Sequence, residues 1–114
     1  MIAVIFEFEP NAGKTDDYLD IASQLRPIVE KIDGFISIER FESLSQPGKI
    51  LSLSFWRDEE AVNEWRNIAE HRQAQRDGRN GIFADYRLRI ASVIRNYGMH
   101  DRDEVPEDSK EIHA

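Results

Sequence analysis

Apolar and polar positions alternate from the start of the chain. In IAVIFEFE (residues 2–9), Ile2, Val4, Phe6 and Phe8 fall on one side and Ala3, Ile5, Glu7 and Glu9 on the other. That two-residue period predicts a β-strand. The second side opens apolar and closes acidic, so the start of this strand is expected to be covered on both faces. PNAG (10–13) predicts a turn. The period then becomes helical over residues 14–32. Tyr18, Ile21, Ala22, Leu25, Ile28, Val29 and Ile32 share one side, and Asp16, Asp17 and Asp20 lie near the positive N-terminal end. Thr15 is the expected cap. Pro27 is expected to kink or divide the helix, and Asp33-Gly34 to end it.

FISIERFESL (35–44) and KILSLSFW (49–56) predict two strands joined at SQPG (45–48) into an antiparallel hairpin. In the second of them Leu51, Leu53 and Phe55 alternate with Ile50, Ser52, Ser54 and Trp56. Asp58 is placed to cap a helix that buries Ala61, Val62 and Trp65, and a further helical segment, residues 68–77, follows with little or no break. Gly78 and Gly81 bracket a loop. ADYRLRIASVIRNY (84–97) predicts a long last strand, in which Tyr86, Leu88, Ile90, Ser92 and Ile94 alternate with Arg87, Arg89, Ala91, Val93 and Arg95. After Gly98 the chain turns polar. Residues 1–98 therefore read as one domain and 99–114 as an acidic, flexible tail.

The order is βαββαβ. It predicts an α+β, ferredoxin-like fold with a four-stranded antiparallel sheet and both helices on one face. The apolar residues on the other face then need a cover. A second copy packed sheet to sheet would supply one, so a homodimer through the open sheet face is expected.

Composition narrows the partners. The chain has 114 residues, 32% of them charged, a net charge of −7 and no cysteine. Disulfides and thiolate chemistry are excluded, and a reducing cytoplasm is the expected location. No apolar run is long enough for a bilayer, and Met1 leads directly into a strand rather than a signal peptide. Nucleic-acid binding would need a basic surface, which the net acidity argues against, although eight arginines lie between Arg57 and Arg95.

Three segments carry a family resemblance: FWRDEEAVNEW (55–65), EHRQAQRDGR (70–79) and FADYRLRIASVIRNYG (83–98). Over residues 2–98 the chain resembles the antibiotic biosynthesis monooxygenase domain of the dimeric α+β barrel superfamily. The resemblance implies a small homodimer with a pocket between sheet and helices in each subunit. It also implies oxidation of phenols such as anthrones to quinones by O2, without metal, flavin or haem, the substrate's own phenolate supplying the electrons. Other members degrade haem, isomerise or act on quinols, so membership alone leaves the reaction class open.

Particular residues gain candidate roles from this. Trp65 is either a core aromatic or a pocket wall stacking on a flat ligand. Phe6 and Tyr86 are the other expected substrate contacts. His71 could take a phenol proton, but six residues along one helix place it about 240° round from Trp65. A break near Asn67 or Ile68 would be needed to bring it inward. Gln75, four residues on from His71, is no metal ligand, so no metal is expected. It stands where haem-degrading relatives carry a ligating histidine, and the first strand offers Glu7 or Phe8 where they carry asparagine; haem degradation is disfavoured. Arg72, Arg76 and Arg79 read as a solvated stripe. Arg87, Arg89 and Arg95 share a strand face: either that face lies at an open edge of the dimer, or the arginines meet Glu7, Glu9 or Glu39, or Arg87 or Arg89 steadies a phenolate in the pocket. The leading expectation is a cofactor-independent monooxygenase acting on an aromatic or quinol-like molecule. The rivals are a non-catalytic ligand-binding domain and a dimerising module on the same fold.

Overall fold

The computed structural model describes residues 1–77 and 81–110, and their side chains except those of residues 70–77, 109 and 110. Its elements are β1 (Ile2–Pro10), α1 (Thr15–Val29), β2 (Phe35–Glu42), β3 (Ile50–Trp56), α2 (Glu59–Asp77), β4 (Phe83–Ser92) and a final turn of helix, α3 (Glu107–Lys110). The strands form one antiparallel sheet in the order β2-β3-β1-β4. This is the ferredoxin-like βαββαβ fold: α1 carries the chain from β1 past β3 to the far edge, and β4 returns beside β1.

Alternation decides what the sheet buries. Ile2 and Val4 of β1 pack with Trp56, Val29, Ile32, Ala61 and Val62 into the core beneath the helices. The opposite face carries Ile5, Leu51, Leu53 and Phe55, each partly buried. Ser52, Ser54 and Trp56 are the buried side of β3, so this strand turns its serines, not its leucines, toward the helices.

Several boundaries differ from the sequence reading. Lys14, not Thr15, precedes α1 and makes no side-chain cap; Thr15 is already helical. Pro27 lies within α1 without dividing it, and the ladder resumes with Glu30 N–H donating to the Arg26 carbonyl at 3.1 Å. Residues 28–32 then close by tighter turns rather than continuing the helix. α2 is one helix from Glu59 to Asp77, with no break at Asn67 or Ile68. β4 stops at Ser92, and the next residue, Val93, still donates its N–H to the carbonyl of Met1 at 3.0 Å. Arg95 therefore lies beyond the sheet rather than on its face. In the segment after Gly98, the Arg102 guanidinium stands 5.5 Å over the Tyr97 ring and Val105 is 5% exposed.

Gly34 makes the sharpest approach. Its φ of +95° favours glycine, and a Cβ there would stand 2.9 Å from the Ala61 Cβ. β2 can start directly under the first turn of α2 only because that atom is missing. Asp58 caps this turn through its carboxylate and the Ala61 N–H at 3.0 Å. Arg57 binds Asp33 through two guanidinium nitrogens at 3.0 and 3.2 Å and Asp58 at 3.1 Å. The Arg57 hydrogen bond holds the Asp33 carboxyl below its ordinary pKa, and the Ala61 N–H followed by Arg57 does the same for Asp58.

Candidate functional site

Between the sheet and the two helices lies a cavity of about 370 Å³. That is the volume range of small-molecule sites. Its floor is the inward side of the sheet. One crosswise row runs Arg40 (β2), Ser52 (β3), Phe6 (β1) and Leu88 (β4), each residue opposite the next in register. α1 contributes Tyr18, Ile21 and Leu25 to the walls, and α2 contributes Val62, Trp65 and Ala69. The cavity opens along β4, where the lining residues Tyr86, Leu88 and Ile90 are 60%, 47% and 45% exposed.

Aromatic rings build one end. Phe83 meets Phe6 edge-on at 5.4 Å between centroids and Phe8 at 5.2 Å, with Tyr86 5.9 Å and Tyr18 6.0 Å away. Edge and tilted contacts of this kind hold rings in fixed orientations. At the opposite wall Trp65 stacks on the buried Trp56 at 6.3 Å and 24°. The two readings of Trp65 thus coincide: one face packs on the core and the side chain also lines the cavity. Phe6 and Tyr86 line it as well.

Arg87 and Arg89 do not reach this space, which corrects the expectation that either steadies charge there. They alternate with the cavity-facing Tyr86 and Leu88 and so stand on the open face. Arg89 donates to Glu7 at 3.2 Å, with Lys49 at 4.0 Å from the same carboxylate. Arg87 is the direct cross-strand partner of Glu7. The continuous α2 supplies no break to turn His71 inward. The side chains of His71, Arg72, Gln75 and Arg76, and all of Arg79, lie outside the described residues.

The cations on the cavity wall are instead Arg26, Arg40 and Arg66, and no acidic residue accompanies them among the described residues. Arg26 is paired with Glu30 at 2.9 Å. Arg40 is part-buried; its Nε–H donates to the Tyr18 hydroxyl oxygen at 3.1 Å, and its guanidinium stands 5.5 Å from the Tyr18 ring centre. Sequence reasoning missed Arg40 for a definite reason. Counting by twos from the inward Phe35 places Arg40 outside. A β-bulge between Phe35 and Ser37 inserts one residue, so Ile38 and Arg40 face inward after it. Tyr18 was assigned only to a helix side, and Phe83 only to a strand.

Comparison with known proteins agrees with the architecture. A model of the family described as antibiotic biosynthesis monooxygenase matches residues 1–77. The jasmonate monooxygenase ABM of Pyricularia oryzae is 54% identical over 93 residues, which cover 82% of this chain and 43% of that protein. The chain thus spans less than half the length of that relative. The YqjZ protein of Bacillus subtilis is 29% identical over 93 residues, covering 82% of this chain and 79% of its own. Among solved structures, Rv0793 of Mycobacterium tuberculosis superposes with a TM-score of 0.70 at 17% identity, covering 85% of this chain and 98% of its own. By sequence match and by fold, the chain belongs to the antibiotic biosynthesis monooxygenase family.

Proposed function

We propose that the protein is a cofactor-independent monooxygenase whose substrate, a small and mostly apolar ring compound, occupies the cavity between sheet and helices. The observation that carries this reading is the cavity itself, walled by Phe6, Phe83, Tyr86 and Trp65 in a chain of monooxygenase family. Flat aromatic walls suit a phenolic or quinol-like ring, which would stack on Trp65 with Phe6 and Tyr86 at its edges. Deprotonation of such a ring gives an anion able to reduce O2. In an anthrone, one oxygen atom of O2 then becomes the carbonyl at the ring CH2 carbon, and the two hydrogens of that carbon leave with the other oxygen as water. The protein's part is to exclude solvent, orient the ring and stabilise its anion. His71, the candidate base from the sequence, lies about 240° round the unbroken α2 from Trp65, so the proton acceptor is not assigned to it. The name of the Pyricularia relative adds jasmonate as the next substrate class to try.

The sheet face turned away from α1 and α2 supports a second copy as partner. Ile5, Leu51, Leu53 and Phe55 form a partly buried apolar strip, bordered by the Glu7–Arg89 pair.

The test is oxygen uptake with anthrones, quinols and jasmonate, together with transfer of one labelled atom from isotopic O2 to product. His71→Ala is expected to keep its turnover, because the unbroken α2 carries position 71 away from Trp65; a fall of about 100-fold with ligand binding kept would restore it as the base. Trp65→Ala should abolish binding. Tight binding of these compounds with no oxygen uptake would replace the enzyme by a ligand-binding domain.

A further inference from the structure

The cavity holds a corner rich in hydrogen-bond donors and poor in acceptors. A partly buried guanidinium normally finds a carboxylate. Arg40 has none among the described residues, and neither of its Nη groups donates to a described residue; only Nε is used, on the Tyr18 oxygen. Tyr18 accepts that bond, so its own O–H proton is free, and no described residue takes it. Ser52 sits across the ladder from Arg40, is buried, lines the cavity and makes no hydrogen bond to a described residue through its hydroxyl. Guanidinium, phenol and hydroxyl thus meet at the β2 end of the floor. Beyond them the row continues as Phe6 and Leu88, which are apolar. The chain carries 22 acids against 15 lysines and arginines, yet among the described residues three arginines and no acid line this space.

We infer that Arg40, with Tyr18 and Ser52, receives the carboxylate of the ligand, so that the substrate is a small apolar carboxylic acid lying with its head at β2 and its ring against Phe6 and Trp65. A carboxylate fits better than a neutral oxygen. It can accept from both Nη groups as a fork and from the Tyr18 hydroxyl at once, each bond charge-assisted. It also supplies the countercharge that the cavity lacks. The inference rests on the reading that the cavity is the substrate site.

The experiment compares acids with their uncharged counterparts. Binding of jasmonate and methyl jasmonate, and of 1-naphthylacetate and its methyl ester, would be measured by calorimetry, with neutral 2-naphthol as a probe of the apolar end. The proposal expects each acid to bind about ten- to a hundred-fold tighter than its ester. Added salt should narrow that difference. Arg40→Gln should remove the preference while leaving ester and 2-naphthol affinities in place, Arg40→Lys should retain part of it, and Tyr18→Phe should reduce it. Equal binding of acid and ester by the unaltered protein overturns the carboxylate receptor, as does a preference that survives Arg40→Gln. If esters and 2-naphthol still bind in that case, the cavity stands as the ligand site and only its charged end falls. If no probe binds, both the cavity reading and the receptor are refuted.

Discussion

The indole N–H of Trp56 donates to the Ser54 hydroxyl at 2.8 Å, two residues back on the same strand and the same face. Trp56 is fully buried and Ser54 nearly so. The bond explains why a strand facing a core carries a serine there: the largest buried side chain has one polar atom, and its partner must be buried with it. Ser54→Ala should therefore destabilise the protein by about 1–3 kcal/mol, the cost of stranding a buried donor. Urea unfolding measures this, and a change close to zero would mean that the indole finds another acceptor.

Gly34→Ala should be worse than its one added methyl suggests. The new side chain would sit at positive φ and press on Ala61 at 2.9 Å. Backbone strain and overlap together predict a loss of about 1–3 kcal/mol. Thermal melting of Gly34→Ala beside Gly48→Ala separates the two, because Gly48 has a φ of +91° with nothing within 4 Å of the added atom. Equal losses would leave the contact with Ala61 without effect.

Acid should loosen the junction between β2 and α2. Asp33 and Asp58 both have folded pKa values below their unfolded ones. Their stabilisation is complete above the unfolded value of about 3.9 and is lost as pH falls through the lower folded values. Both side chains are exposed, so the effect is modest and screened by salt. Melting temperature followed from pH 7 down to pH 3 should fall less steeply in Asp58→Asn than in the unaltered chain. Parallel curves would remove Asp58 from the acid response.

The strands and helices were legible because this chain announces them by period. Ile2, Val4, Phe6 and Phe8 alternate without interruption, and Ala61, Val62 and Trp65 follow a capping aspartate. Arg89 meeting Glu7 was among the stated alternatives for the last strand. Less could be read where long-range structure sets a local feature. The end of β4 at Ser92 is one such feature: the apolar alternation runs on to Ile94, and nothing within residues 93–97 marks the stop. The inward turn of Arg40 depends on one extra residue in β2, and no residue type in FISIER advertises a bulge. Two adjacent charged residues, Glu39 and Arg40, were visible between Ile38 and Phe41, but which of them turns inward was not.

Leu53→Asp tests the partner expected on the open face. Leu53 is half-buried within a single chain, flanked across the ladder by Ile5. A carboxylate there costs a monomer little, whereas facing a second copy it would be desolvated without a partner. Light scattering should find the unaltered protein at twice the chain mass and Leu53→Asp at the chain mass. Identical masses for the two would place any association elsewhere.

β4 is bonded to β1 on one side only, and its other edge ends the sheet. Such an edge invites another chain to add a strand, the first step of aggregation. Along it the open face presents Asp85, Arg87 and Arg89, a charge at every second position. Like charges on two approaching copies repel, and each side chain would lose water on pairing. These arginines, which do nothing for the cavity, therefore keep the cavity's most exposed wall from becoming a template. Apolar replacements at Arg87 and Arg89 would leave the fold intact in dilute solution and shorten the time for which it stays there.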